Sequence, residues 1–290
     1  MYNVVLVGSQ GYWGKILKRN LLSRSDVKLD CVDLAGEDHT SLEEVLSQAV
    51  AGTKVFIATP PATHYPLAKI CLDHGCSFIV EKPAFDSYAK CVEILKEAED
   101  KQIPVGVDHT FLFHPTVRKI AKLLNSGVIG DVNYIQSDRL GFGKFQPCGV
   151  FWDLLPHDLS IISLLTGSSN CRLVNSYNID GVPFVGQVAG SNFSVNVSWI
   201  STEKVRRLTV YGDQGAIKWD LGSPFIEIYD FNISRPSTSL VLLSKAECKD
   251  TREPLAIMID EFLKWDNPDS YFISRLSDAV SIVKNIEGLI

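Results

Sequence analysis

The chain begins with the apolar run Val4-Val-Leu-Val7, and a glycine-punctuated turn follows at once: Gly8-Ser-Gln-Gly11-Tyr-Trp-Gly14. A β-branched strand, then three spaced glycines, then residues 13–23 of helical composition constrain the fold more than any other feature. Such a turn lets the backbone reverse tightly and sets a helix N-terminus beside it, where amide groups meet the charge of a pyrophosphate. The spacing is G-x-x-G-x-x-G rather than G-x-G-x-x-G. Asp33 supplies the other half of the pattern. It ends the next strand, 19 residues past Gly14, where a carboxylate accepts hydrogen bonds from ribose hydroxyls. The same carboxylate repels a 2′-phosphate, and no Lys or Arg follows it closely, so the pattern selects NAD over NADP. A tight β–α turn without a ligand is the alternative reading.

The first part of the chain alternates two periodicities. Apolar runs at 27–33, 54–58, 77–80 and 103–107 read as strands. The segments between them read as helices: one opened by the capping box Ser41-x-x-Glu44, one with Leu67, Ala68, Cys71 and Leu72 on a face, one with Tyr88, Val92, Leu95 and Ala98 at helical spacing. Near-continuous apolar strands separated by helices predict a doubly wound, Rossmann-like parallel sheet covered on both faces. Past residue 115 the pattern changes. Helices are expected at 116–125 and 153–165. Phe193, Val195, Val197 and Trp199 alternate with polar residues, as do Leu208 and Val210, then Ile217 and Trp219. That predicts an open, mostly antiparallel sheet. Two amphipathic helices close the chain, one with Leu255, Met258, Ile259 and Phe262, the other with Leu276, Ala279, Val280 and Val283. The expected organisation is therefore α/β: a dinucleotide-binding domain over 1–115 and a substrate-binding and oligomerisation α+β domain over 116–290.

Composition narrows the class. Hydrophobic residues make up 46% of the 290 and charged residues 21%, enough to build a core and too apolar for a disordered chain. The net charge of −6 argues against a nucleic-acid surface, which needs a basic field. No run reaches the ~20 apolar residues of a membrane span. Seven cysteines without C-x-x-C pairs predict reduced thiols and a cytoplasmic setting rather than a disulfide framework. Cys71, His74 and Cys76 resemble metal ligands in spacing, but Cys71 belongs to a core helix face, so no metal site is expected. G-x-S-x-G, H-E-x-x-H and P-loop patterns are absent, which removes the common hydrolase and kinase readings.

Three further segments, Ala58-Thr-Pro-Pro-Ala-Thr-His64, Val80-Glu81-Lys82-Pro83 and Trp152-Asp153-Leu-Leu-Pro-His157-Asp158, stand in the order and spacing of the Gfo/Idh/MocA oxidoreductases, which the chain resembles along most of its length. Tyr12-Trp13-Gly14-Lys15, Ser137-Asp138-Arg139-Leu140, Ser198-Trp199 and Lys204-Val205-Arg206 resemble the UDP-N-acetylglucosaminuronate 3-dehydrogenase-like branch, from which the extra residue between Gly8 and Gly11 departs. The resemblance implies an NAD-dependent oxidoreductase acting on a sugar hydroxyl or ketone. Its cofactor contacts would be Gly8, Gly11, Tyr12, Trp13, Gly14, Asp33, Thr59, Pro60, His64, Glu81 and Lys82. It further implies that Arg139, Lys144, Lys204 and Arg206 face a nucleotide-linked sugar or sugar acid, and that the protein is a homodimer or homotetramer.

The residues themselves fit that chemistry. Hydride transfer from a carbinol needs a base for the hydroxyl proton and a donor for oxyanion character. Imidazole titrates near neutrality, which suits His157. Asp153, four residues earlier, shares its helical face and can orient the ring or a sugar hydroxyl. Lys82 ends a parallel strand, where doubly wound sheets place ligands. The blander readings are Asp153 as an N-cap, His157 as a surface residue and the basic side chains as ordinary surface charge. His109 and His114 either touch the cofactor or pack where the first domain ends. A 3-ketosugar reductase, an inositol-type dehydrogenase and a non-catalytic cofactor sensor remain as alternative functions.

Overall fold

The computed structural model describes residues 1–35, 38, 41–143, 145, 146, 148–230 and 241–290. The elements run β1 (Tyr2–Val7), α1 (Tyr12–Leu22), β2 (Val27–Val32), α2 (Leu42–Ser47), β3 (Lys54–Ile57), α3 (His64–Asp73), β4 (Ser77–Glu81), α4 (Tyr88–Asp100) and β5 (Val105–Asp108). There follow α5 (Pro115–Asn125), β6 (Val132–Phe142), α6 (Gly149–Thr166), β7 (Arg172–Ile179), β8 (Val182–Ala189), β9 (Phe193–Ser198), β10 (Ile200–Gly212) and β11 (Gly215–Asp220). β12 (Phe225–Asp230), β13 (Val241–Glu247), α7 (Pro254–Leu263) and α8 (Leu276–Glu287) complete the chain.

Two compact units emerge: 1–110 with 253–284, and 111–252 with 285–290. In the first, five parallel strands take the order β2-β1-β3-β4-β5. Every residue of β3, β4 and β5 is buried, as expected of strands covered on both faces. β1 lies between β2 and β3: the connection out of β1 runs to one side and the connection out of β2 returns past it to the other, which creates a switch point at the C-terminal ends of β1 and β3. Ser41 caps α2 by accepting the Glu44 backbone N–H at 3.2 Å. On α4 the buried stripe is Cys91, Ile94 and Ala98, whereas Val92 is 40% exposed. Both stripes obey helical spacing, and the small Cys91 and Ala98 let the helix approach its neighbours closely.

The segment 253–284, read from the sequence as part of a second domain, groups with the first unit. Leu255, Met258, Ile259 and Phe262 are buried, and Phe262 meets Phe56 of β3 edge-on at 5.1 Å. Arg24 forms an ion pair with Asp260. Periodicity identifies the apolar face of α7 but carries no information about which sheet that face covers.

The second unit holds an eight-stranded sheet, ordered β13-β12-β11-β10-β6-β9-β8-β7. β6 and β9 run parallel, and all other neighbours are antiparallel. Alternation holds: Phe193, Val195, Val197, Leu208, Val210, Ile217 and Trp219 are buried, and α6 packs on β6, β8 and β9. α6 begins at Gly149, four residues ahead of Asp153, so Asp153 lies inside the helix rather than capping it. Among the described residues no helix is long and apolar enough to cross a membrane.

Candidate active site

In the first unit the glycine turn joins β1 to α1. Gly8 has φ +86°, and a Cβ there would stand 2.6 Å from the Ala58 carbonyl oxygen, so only glycine fits. A Cβ at Gly14 would stand 1.8 Å from the Gly8 oxygen, so the first turn of α1 packs directly on the loop. Gly11 precedes the helix in extended backbone and keeps that end of the helix open. Tyr12 and Trp13 start α1 with their rings edge-on at 5.4 Å, 71% and 43% exposed.

Asp33, just past β2, accepts the backbone N–H of Gln10 at 2.9 Å and that of Ala35 at 3.1 Å. The carboxylate is thereby tied to the glycine turn. A cleft of about 530 Å³ opens beside it, lined by Gly8, Gly11, Asp33, Leu34, Leu42, Thr59, Pro60, Pro66 and Leu67 among others. Its walls are mostly apolar, and no Lys or Arg is among its described lining residues. Apolar walls, one strand-end carboxylate and a glycine turn fit the adenosine half of a dinucleotide. Asp38 is a contact the sequence did not announce. It accepts Ser9 Oγ, Gln10 Nε2 at 2.7 Å and Lys18 Nζ at 3.2 Å, and Ser9 first, burial notwithstanding, holds its carboxyl below the ordinary range.

Two expected cofactor contacts lie deeper. His64 is fully buried. Its Nε2 faces the Thr59 carbonyl at 2.8 Å, and Nδ1 faces the carbonyls of Pro83 at 3.0 Å and Ala84 at 3.1 Å. The ring therefore clamps the segment after β3 to the Glu-Lys-Pro turn, and burial lowers its pKa. Glu81 is paired in register with Asp108 of β5, and both side chains are buried. Burial, then the neighbouring Asp108, pushes the Glu81 carboxyl well above the ordinary range. Glu81 Oε2 also accepts the Lys82 backbone N–H at 3.1 Å, and Thr110 Oγ1 donates to Asp108 at 2.6 Å. Lys82, half-buried, thus stands directly after β4 on a braced turn.

His109 is buried too. Burial, then the charge of Lys82, lowers its pKa to about 4. Ser274 Oγ donates to the Val107 carbonyl at 2.7 Å and lies 3.3 Å from His109 Nδ1. With its one proton committed, that hydroxyl accepts from Nδ1–H, which leaves the lone pair on Nε2. His114 instead caps α5, accepting the Thr116 backbone N–H at 3.1 Å. His74 Nδ1 lies 2.9 Å from the Ile70 carbonyl, and Cys71 and Cys76 are buried. No group of three or more metal-ligating side chains occurs among the described residues.

In the second unit α6 sets Asp153 and His157 one turn apart. Trp199 donates its indole N–H to Asp153 Oδ2 at 3.0 Å. Trp199 itself packs among aromatic rings, with Phe145 at 5.9 Å and Phe184 at 5.7 Å. Phe111 meets the His157 ring edge-on, 5.0 Å between centroids at 80°.

Arg139, expected to face the substrate, is 5% exposed. It is bound to Asp158 through Nε at 2.5 Å and Nη2 at 3.2 Å, and Ser137 Oγ donates to the same carboxylate at 2.7 Å. Inward alternation on β6 puts it there, a consequence the basic side chain conceals. Arg206, half-buried, donates Nη1 to the carbonyls of Leu140 at 2.6 Å and Val205 at 2.9 Å. Lys204 is exposed on β10, and Lys144 lies outside the described residues.

Residues 15–109 match the model of an oxidoreductase family with an NAD-binding Rossmann fold. UDP-N-acetylglucosamine 3-dehydrogenase of Acidithiobacillus ferrooxidans is 23% identical over 235 residues, 77% of this chain and 72% of that protein. 2,7-Anhydro-N-acetylneuraminate hydratase of Mediterraneibacter gnavus is 29% identical over 153 residues, 49% of this chain and 40% of that protein. Among solved structures, the same A. ferrooxidans dehydrogenase superposes with a TM-score of 0.81 at 18% identity, covering 99% of this chain and 96% of that one. GenD2 from gentamicin A biosynthesis, in complex with NAD, gives 0.79 at 19% identity, covering 99% and 93%. At such identities the superpositions speak for the fold. Together with the glycine turn, Asp33 and the Glu-Lys-Pro turn, the family match leads to one conclusion: residues 15–109 carry the NAD-binding Rossmann fold of the Gfo/Idh/MocA oxidoreductase family.

Proposed function

We propose that this oxidoreductase uses NAD to oxidise a sugar hydroxyl, at C3 of a nucleotide-linked sugar or sugar acid, or runs the same step in reverse. The observation that carries the reading is the pairing of Asp153 and His157 on one face of α6, with Asp153 oriented by Trp199, in a chain whose first unit is a dinucleotide fold. The A. ferrooxidans relative's name supports the substrate class. The cleft lining, with a carboxylate and no described basic residue, supports NAD over NADP.

Bound NAD would accept the hydride. Gly8 and Gly14 keep the backbone low beneath the pyrophosphate, and Asp33 accepts the ribose hydroxyls. His157 takes the proton of the reacting hydroxyl. Asp153 orients a neighbouring sugar hydroxyl. Lys82 donates a hydrogen bond to the reacting oxygen and lowers the cost of its negative charge. With Arg139 held in its ion pair, Lys144, Lys204 and Arg206 are the basic residues of this reading that remain for the substrate's anionic part. The exposed apolar residues Leu173, Val174 and Tyr177 of β7 and Val241, Leu242 and Leu243 of β13 favour a homo-oligomer.

The test is absorbance of reduced nicotinamide with NAD and a panel of UDP-N-acetylglucosamine, its uronate, free sugars and inositols, with His157→Asn protein as control. NADH formed from nucleotide sugars alone, and lost in the control, supports the reading. Turnover unchanged in His157→Asn removes the base assignment. NADH from inositols alone replaces the substrate class. Loss of substrate without NADH points to a redox-neutral reaction, the outcome that the matched hydratase makes worth measuring.

A further inference from the structure

A base that takes a proton in the transition state must present one ring nitrogen along one direction, and a solvated imidazole on a helix rotates freely about two torsions. His157 does not have that freedom. The rings of Phe111 and His157 meet edge to face, with centroids 5.0 Å apart and planes at 80°. Phe111 is itself held: the Arg139 guanidinium lies over its face, 4.7 Å from the centroid. Arg139 in turn is fixed by two bonds to Asp158, at 2.5 and 3.2 Å, and Ser137 Oγ fills the carboxylate at 2.7 Å. Asp158 is the residue after His157 on α6. The buried pair therefore anchors the helix at this turn, and through Phe111 it also fixes the ring that the same turn carries. An exposed ion pair would leave both ends loose, but Arg139 and Asp158 are 5% and 3% exposed.

We infer that Phe111, clamped by the Arg139–Asp158 pair, is a positioning residue that fixes the ring orientation of His157. The inference rests on the reading of His157 as the base. It assigns Arg139 a task different from substrate contact. The guanidinium is a support behind an aromatic ring, which a flexible ammonium would not reproduce, because a guanidinium can sit over the ring while its fork donates twice to one carboxylate.

Phe111→Leu is the decisive variant, because it keeps an apolar side chain in place of the ring and leaves the buried ion pair intact. Phe111→Tyr is the conservative rescue. Two readouts on the full chain separate positioning from mere packing. The first is the histidine Cε1–H spectrum, with the His157 signal assigned by its loss in His157→Asn. Removing the aromatic edge should shift that signal and restore averaging of the ring, while Phe111→Tyr keeps the wild-type position. The second is turnover of NAD with UDP-N-acetylglucosamine as probe, where kcat should fall between tenfold and a hundredfold (an order-of-magnitude figure) with KM for both unchanged, and recover in Phe111→Tyr. An unshifted His157 signal in Phe111→Leu overturns the inference whatever the probe does. Wild-type kcat in Phe111→Leu beside an inactive His157→Asn overturns it while the base assignment stands. Turnover persisting in His157→Asn overturns the base assignment and takes the inference with it.

Discussion

Trp199 and Asp153 meet across the second unit, an indole N–H from just past β9 donating at 3.0 Å to a carboxylate on α6. An acid on a helix has rotamers to choose from, and this bond selects one. Trp199→Phe keeps the ring and removes the donor. A charge-assisted bond contributes about 1.5–3 kcal/mol to stability, so the melting temperature should fall by a few degrees, while kcat/KM of the dehydrogenase should fall by roughly tenfold or more, beyond what that loss of stability explains. Steady-state kinetics beside calorimetry will show it. Equal losses in both would make the bond a packing feature.

Asp33 should govern cofactor choice. Asp33→Asn keeps the side chain's shape and removes the charge proposed to accept the ribose hydroxyls, so the Kd for NADH should rise about tenfold. Discrimination against NADPH should shrink at the same time. Titration of NADH and NADPH by fluorescence tests both, and an unchanged ratio would remove Asp33 from cofactor recognition.

The Arg139–Asp158 pair predicts a stability signature. Removing one buried partner strands the other, which costs about 3–5 kcal/mol. Arg139→Met and Asp158→Leu singly should each lower the urea midpoint sharply, and the double variant should recover a large part of the loss. If Arg139→Met left stability untouched and weakened only substrate binding, the guanidinium would be a ligand contact after all.

His109 predicts a pH dependence. Its folded pKa of about 4 lies below the unfolded value of about 6.5, so the unfolded chain binds the extra proton between these limits. Its neutral, buried form contributes nothing adverse above pH 6.5, and stability falls as the pH drops from about 6.5 to about 4. His109→Gln can still donate to Ser274 Oγ and cannot titrate. The melting temperature of wild-type protein should therefore drop by roughly 5–10 °C more than that of the variant across this window. Parallel curves would refute the assignment.

Much of the first unit could be read in advance because its signals are local. Three spaced glycines directly after an apolar strand, a carboxylate at a strand end and apolar strands between helices all declare themselves in neighbouring residues. The exceptions depend on register or burial. Glu81 meets Asp108 because two strands, 27 residues apart in the chain, fall into step. The residues 36, 37, 39 and 40 flank Asp38, whose three donors come from a turn and helix that no spacing ties to it. Arg139 reads as a substrate contact because its charge is visible in the sequence and its inward position on β6 is not. His64 stands in a motif whose neighbours line the cleft, yet its own ring points into the protein. Charge advertises chemistry in a sequence, and only the packing shows which charges are spent on structure.

The return of residues 253–284 to the first unit has a consequence for synthesis. Lys54 is buried in β3, where its ammonium donates to the Trp265 carbonyl at 2.6 Å, pairs with Asp266 at 2.9 Å and lies 5.5 Å from the Phe262 ring centre. These partners emerge from the ribosome 211 residues later, a wait of roughly 10–40 s at ordinary elongation rates. Until then the nascent sheet carries an uncompensated cation and the bare apolar face that α7 will cover. Residues 111–252, nearly all of the second unit, are made in that interval, so the nucleotide-binding fold is begun first yet stays incomplete until the other sheet has been synthesised, and truncation anywhere before residue 266 should yield a chain that cannot close its own first layer.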